Sequence, residues 1–290
     1  MNILVAGASG VVGREVVELL KQRGHSVRTL SKDPGRADRL RGVADEVRLA
    51  DATNAAAMVG ICEAVEVVVS ALGASVSPSG VGKRSFAEVD VQANLNLLAE
   101  AQKAGVRRFV YVGVYTEPGY ANTAYVLAHA RVERALADSG LETGFVRTTG
   151  VFGTLLELLP MARKGPVPLI GDGSATTNPI HERDVAGAVL EAVEAAGPSD
   201  VEVGGPEQLT RRQIAEAAFA ALALPPRFIS MPVWAMRAIG WLYGLFNRRM
   251  GDLLRFAILV ATTHCVAPLR GTQRLGDYFR SHSGVPAPKS

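Results

Sequence analysis

Tyr125 and His129 stand four residues apart in a stretch that reads Ala-Tyr-Val-Leu-Ala-His from Ala124. Four residues is little more than one helical turn, so in a helix the phenol and the imidazole share a face. A positioned phenol can pass a proton to or from a reacting group. A second stretch with chemical content is Gly7-Ala-Ser-Gly-Val-Val-Gly13, whose glycines are spaced G-x-x-G-x-x-G. It follows the apolar run 3–6 and opens a helical pattern over 12–23. Glycine permits the tight turn, and the N–H groups of a helix start can then meet a pyrophosphate closely. Ser9, Gly10, Val11, Val12 and Gly13 would supply that cradle. A plain glycine-rich turn is the alternative.

These residues need a scaffold, and the first half of the chain describes one. Apolar runs at 3–6, 27–30, 47–49, 65–69, 109–112 and 145–146 alternate with longer segments of helical periodicity, such as 12–23 and 89–104. Strands apolar on both faces, separated by helices, imply a parallel sheet covered on both sides. Gly24, Gly105 and Gly140 read as helix stops. After Gly150 the alternation loosens. Helices are expected from about 181 to 196 and over 210–222, with a short strand at 201–205. Residues 227–266, apolar and aromatic, should be mostly helix and should cover one end of the ligand cleft. The final residues, 284–290, carry no pattern of structure. The fold class is thus α/β, a Rossmann-type doubly wound parallel sheet with a small, mostly helical C-terminal region on the substrate side. Residues 1–150 form the dinucleotide-binding core, with 179–197 packing back on it. Residues 151–178 and 198–290 form the substrate-side region and cap.

Which dinucleotide is read from the tip of the second strand. An NAD site usually carries an acid there to hold the ribose 2′-OH. Here the strand ends Thr29-Leu30-Ser31-Lys32, a hydroxyl and a cation, with Arg14 close behind the last glycine. That arrangement suits a 2′-phosphate, so NADP(H) is favoured over NAD(H). Asp33 precedes Pro34 and reads as a turn residue. Asp51 and Ala52, after the third strand, and Ala71, Leu72 and Gly73, after the fourth, fall at the carboxyl edge of the sheet, where ligands bind in this architecture. Asp51 either accepts from the adenine amine or caps a helix starting near Asn54. Thr148 and Thr149 follow the sixth strand and should lie near the nicotinamide. Asn94, mid-helix, either bridges to backbone or simply packs. His181 either touches substrate or begins a helix.

The totals exclude several other classes. A net charge of +3 with dispersed cations is no nucleic-acid footprint. Cys62 and Cys265 lack metal-ligand spacing and read as free thiols of a reducing, cytoplasmic setting. The first residues show no secretory pattern, and no long uncharged apolar run occurs. Residues 228–262 mix apolar faces with Arg237, Arg248, Arg249 and Arg255. Packing as a substrate lid or dimer contact is favoured there over peripheral membrane contact. The protein is read as a monomer or homodimer acting on a small molecule.

The chain resembles the atypical branch of the short-chain dehydrogenase/reductase superfamily. The resemblance rests on the glycine loop, LADAT, VVVSALG, VDVQANLNLLAEAQKAGV, RRFVYVGV, SGLETGFVRTTGVFG, PLIGDGSATTNPIHERDVAGAV and VEVGGPEQLTRRQIAE, and it spans roughly residues 1–225. It is most similar to divinyl chlorophyllide reductase-like proteins and NmrA-like redox sensors. The resemblance implies catalysis by Ser, Tyr and Lys, the last two spaced Y-x-x-x-K. Tyr125 matches the Tyr. His129 occupies the Lys position, Gly113 the Ser position, and Thr148 replaces the usual Pro after Arg147. Imidazole is mostly neutral at neutral pH, which puts carbonyl reduction through a phenolate in doubt. Two functions follow: an NADP(H)-dependent oxidoreductase acting on an apolar conjugated C=C or C=O, or a non-catalytic redox-sensing regulator of the NmrA-like kind.

Overall fold

The computed structural model describes residues 1–73, 86–117, 120 and 123–285. The unpatterned tail from residue 286 lies outside them. The elements in chain order are β1 (Asn2–Ala6), α1 (Val11–Gln22), β2 (Ser26–Ser31), α2 (Pro34–Leu40), β3 (Glu46–Leu49), β4 (Val67–Ser70), α3 (Gln92–Lys103), β5 (Arg108–Val114), α4 (Ala124–Ala137), β6 (Glu142–Thr148), α5 (Phe152–Leu155), α6 (Leu158–Lys164), β7 (Val167–Ile170), β8 (Thr176–Thr177), α7 (Glu182–Glu194), β9 (Ser199–Val203), β10 (Leu209–Thr210), α8 (Arg211–Ala221), β11 (Phe228–Met231), α9 (Val233–Phe246), α10 (Arg248–Thr262) and α11 (Leu275–His282). A π-helical turn, Ala87–Val91, precedes α3.

Seven strands form one parallel sheet in the order β3-β2-β1-β4-β5-β6-β9. β1 shows why it is buried on both faces. Ile3 and Val5 pack with α1 and α7, through Val16, Val17, Val185 and Val189. Leu4 and Ala6 point the other way, into a core with Leu97 of α3 and Val132 of α4. The period-2 alternation of a strand therefore feeds two apolar layers instead of one. A third core belongs to the C-terminal region, where Phe152, Leu169, Ile214, Phe219 and Phe279 come together.

The expected strands and helices of the first half are present. β6 is longer than the 145–146 run suggests, because Glu142, Thr143 and Gly144 pair with β5 despite their weak β pattern. The short strands β7, β8, β10 and β11 were not foreseen. β11 pairs with β7, and β10 with β8, so 227–266 is not helix throughout but opens with a strand.

Arg108 joins the layers. It is fully buried at the start of β5. Its guanidinium donates to Glu142 at 2.8 Å and to the carbonyls of Ala192 and Ala195 at 2.9 and 2.5 Å, which close the end of α7. Those are carbonyls that a helix end leaves without an intrahelical donor. Arg108→Met should therefore lower unfolding free energy by about 3 kcal/mol or more in a denaturant titration. A loss near zero would mean that water replaces these bonds freely.

Candidate active site

The glycine loop is built by close contact. A Cβ placed on Gly13 would lie 2.2 Å from the Gly7 carbonyl oxygen, and one on Gly7 would lie 2.4 Å from the Ala71 carbonyl oxygen. Gly7 also adopts a φ of 85°, a left-handed conformation that favours glycine. The first turn of α1 is thus drawn over the ends of β1 and β4. Its N-cap, Gly10, has no side chain to close it, so Val11, Val12 and Gly13 begin the helix with N–H groups that α1 itself does not use. Ala8 is buried beneath the loop, while Ser9 and Gly10 are exposed above it. A helix start of this kind suits a phosphate.

At the tip of β2 the Ser31 side chain turns inward. Its hydroxyl donates to the Asp33 carbonyl at 3.0 Å and receives the Asp33 N–H at 3.2 Å. Asp33 in turn caps α2 by accepting from the Arg36 N–H. Lys32 is exposed. Arg14 is exposed as well and bonds Glu18 at 3.0 Å. Arg36, in the first turn of α2, is a third exposed cation near this tip, one that the Ser31-Lys32 pattern did not single out. Asp51 does not cap the helical turn after β3. It closes its own turn by accepting from the Thr53 N–H and hydroxyl at 3.0 and 2.7 Å, and Asn54 is the cap. Ala52 is buried, and its carbonyl accepts from Asn96 at 2.9 Å.

Beyond β4, Ala71 and Leu72 are half-buried and Gly73 is exposed. Ser70 donates to Asn94 Oδ1 at 2.5 Å, and Asn94 donates to the Asp90 carbonyl at 2.6 Å. Asn94 thus ties the π-helical turn to the end of β4, which is the bridging role considered for it.

Tyr125 and His129 do share a face of α4, with ring centroids 4.6 Å apart. His129 is not solvent-facing; it is buried behind Tyr125. Its Nδ1 lies 2.7 Å from the Tyr111 hydroxyl. Its Nε2 is buried with no hydrogen-bond partner among the described residues. Tyr111 on β5 gave no signal in the sequence, because a tyrosine inside an apolar strand reads as core. Phe86 and Phe256 close on Tyr125, with centroids at 5.1 and 4.5 Å. Phe256 comes from α10, so the segment 227–266 does reach over this part of the cleft. Arg249 of α10 stacks 3.6 Å above Phe86.

This enclosure sets the charge states. Tyr125 keeps part of its surface open, but its hydroxyl end lies deep. Burial, with the nearby Asp90 charge, pushes the phenol well above its usual value. Burial pushes His129 down from 6.5 to about 4. The pair is therefore a neutral phenol beside a neutral imidazole, a different state from the phenolate held by a lysine ammonium. The position where a Ser would fall is filled from below. A Cβ on Gly113 would meet Glu133 Oε1 at 2.8 Å, and Glu133 is held there by Arg147 at 2.9 Å.

At the end of β6, Thr148 and Thr149 are buried and turned into the protein. Thr148 donates to the Thr149 carbonyl at 3.1 Å and Thr149 to the Asn178 carbonyl at 2.6 Å. His181 begins α7 as its N-cap, accepting from the Arg183 N–H. It also lines a cavity of about 520 Å³ with Arg274, Tyr278 and His282, which contains neither Tyr125 nor His129. A second cavity, of about 280 Å³, lies between Asp172 and Ala261. Neither matches the apolar pocket beside Tyr125 that an enzyme reading anticipates. Burial pushes the Cys62 thiol up to about 12 and Cys265 to about 11, so neither offers a thiolate nucleophile at neutral pH.

A family model described as NAD(P)H-binding matches residues 7–196. The chain is 30% identical over 281 residues to a 3-diazoavenalumate denitrifying reductase of Streptomyces sp, covering 83% of this chain and 88% of that protein. It is also 30% identical over 263 residues to the chloroplastic divinyl chlorophyllide a 8-vinyl-reductase of Oryza sativa subsp. indica, where it spans 83% of itself but only 63% of the relative. Among solved structures it superposes on the NADPH-dependent quinone oxidoreductase QOR2 of Escherichia coli complexed with NADPH, at a TM-score of 0.72 and 21% identity. That match covers 97% of this chain and 99% of the other and establishes the fold.

The buried imidazole carries a pH dependence. With a folded value near 4 against 6.5 when exposed, the unfolded chain binds this proton first. The contribution is whole above pH 6.5 and is lost as the pH falls toward 4, by on the order of 3 kcal/mol. Melting temperature across that interval should fall less steeply in His129→Gln than in the parent. Parallel curves would place the acid sensitivity elsewhere.

Proposed function

The chain belongs to the NAD(P)H-binding family, and we propose that it works there as an NADP(H)-dependent reductase of an apolar, conjugated small molecule. The observation that carries this is the neutral Tyr125–His129 pair over the carboxyl edge of a sheet with an uncapped glycine loop. The loop fits the cofactor: Gly7 and Gly13 let the turn close against the backbone of Ala71 and of Gly7, and the open start of α1 offers N–H donors. Gly7, Ser9, Gly10, Val11, Val12 and Gly13 would hold the pyrophosphate. Lys32, with Arg14 and Arg36 nearby, would meet a 2′-phosphate, and Ser31 would support the tip. Asp51, Ala52, Ala71, Leu72 and Gly73 would border the adenosine half, and Thr148 and Thr149 the nicotinamide half. In this division residues 1–150 and 179–197 hold the cofactor, and the remainder shapes the substrate side.

When bound, the cofactor supplies a hydride. Tyr125 keeps its proton at neutral pH, so it acts as an acid and not as a base. That favours reduction over alcohol oxidation. A conjugated C=C bond suits such a site: hydride addition at one carbon leaves an enolate, the Tyr125 phenol gives its proton to the other carbon, and a solvent proton reaching the partly exposed Tyr125 replaces the one given. His129 orients the Tyr125 ring from behind and takes no proton. The two relatives named as reductases, one acting on a vinyl group and one on a diazo compound by their names, support reduction of an unsaturated bond. The redox-sensing alternative draws on one observation: Phe86 and Phe256 close on Tyr125, as in a site that has stopped turning over.

Calorimetry should show NADPH binding more tightly than NADH. Lys32→Ala should erase roughly tenfold or more of that preference, since a charge-assisted contact is worth about 1.5–3 kcal/mol. NADH binding equally well or better would remove the argument from the β2 tip. A screen of conjugated enones for NADPH consumption should yield a substrate. On it, Tyr125→Phe should cost about 10²–10⁴ in kcat, and His129→Ala far less. Unchanged turnover in Tyr125→Phe would return that residue to a packing role. No consumption across the screen, with NADPH binding intact, would favour the sensor.

A further inference from the structure

The outer helix of the C-terminal hairpin faces the wrong way for a lid. α9 and α10 cross through glycines: a Cβ on Gly251 would come 2.6 Å from the Gly244 Cα and 3.3 Å from the Gly240 carbonyl oxygen. Close approach on that side fixes the rotation of α9. Met236 and Gly240 are its buried residues. The opposite side carries Trp234, Ala238, Trp241, Leu242 and Leu245, spaced four, three, one and three, which is one continuous helical stripe. Trp234 is 75% exposed, Trp241 64%, and Phe246 at the end of the helix 86%. These are the only two tryptophans of the chain, and both stand in solvent on one helix.

The charges carried by α9 and the sequence flanking it have one sign. Between Glu216 and Asp252 the sequence contains no acidic residue and four arginines. Arg249 turns inward over Phe86. Arg227, Arg237 and Arg248 are exposed. We propose that this face of α9 lies in the headgroup region of an anionic lipid bilayer, with the tryptophans at the acyl boundary and the three arginines among the phosphates. Indole rings favour that boundary, and cations near an anionic surface add to the binding. The helix has 14 residues, about 21 Å, too short to span a hydrocarbon core of about 30 Å. Among the described residues no helix is long and apolar enough to cross. A second copy is a poorer occupant. A two-fold contact sets the same helix against itself, and α9 carries no carboxylate to meet the arginines it would bury.

The test is vesicle flotation of the full chain, read beside tryptophan emission. Vesicles of phosphatidylglycerol with phosphatidylcholine should carry the protein and shift its emission to the blue. Phosphatidylcholine alone should carry much less. Trp234→Ser with Trp241→Ser should abolish flotation, and Arg237→Gln should weaken partition by about fivefold, both with NADPH binding retained as proof of folding. The proposal is overturned if anionic vesicles carry none of the protein. It is overturned equally if both lipids carry it alike and the substitutions change nothing. Sedimentation velocity showing a dimer that the tryptophan substitutions dissolve, without vesicle binding, would assign the face to a second copy instead.

Discussion

The β1–α1 turn can close only because Gly13 has no side chain. With its Cβ position 2.2 Å from the Gly7 carbonyl oxygen, any other residue would push α1 off the sheet. That contact aims the first turn of α1 across the ends of β1 and β4, where Gly7 also meets Ala71. The layers behind it follow. α1 packs on α7 through Val16, Val17, Val185 and Val189, and Arg108 fastens the far end of α7 to β5. One sterically forced turn thus sets where an anion would sit and which edge of the sheet the other site residues can reach.

Across that edge, burial decides the chemistry. Tyr111, His129, Tyr125 and Phe256 form a stack running from the central sheet to the C-terminal hairpin. A lysine in the place of His129 would be desolvated in the same way and would lose much of its charge. The absence of a lysine is therefore consistent with its surroundings, as is the absence of a serine at Gly113, where Glu133 occupies the space. Burial keeps Tyr125 a neutral phenol and His129 a neutral imidazole, where the resemblance implies a phenolate beside a lysine ammonium.

The central sheet was legible because its strands are buried on both faces and leave continuous apolar runs. The helix stops were legible because Gly24, Gly105 and Gly140 take positive φ. The sequence could not show His129 buried: that depends on the register of β5, which sets Tyr111 behind α4. Nor could it show Phe86 and Phe256 meeting at Tyr125 from opposite ends of the chain. Of the two roles open to Asp51 the helix cap fell to Asn54, and Asp51 closes its own turn with Thr53, because a carboxylate two residues before a hydroxyl finds it first. The hairpin at 227–266 was half legible. Its apolar content suggested a lid or a dimer contact; α10 sets Phe256 against Tyr125, while the glycines at 240, 244 and 251 turn α9 outward.

The most direct measurement of the central claim, a bound hydride donor meeting a neutral phenol, is a crystal structure of the protein with NADPH and a conjugated enone. The expected result is the pyrophosphate on the N–H groups of Val11 to Gly13. The nicotinamide should lie at the ends of β5 and β6, with the Tyr125 hydroxyl in hydrogen-bond reach of the substrate or the nicotinamide ribose. The contradicting result is a cofactor seated on the glycine loop with Tyr125 still sealed between Phe86 and Phe256 and nothing bound against its hydroxyl.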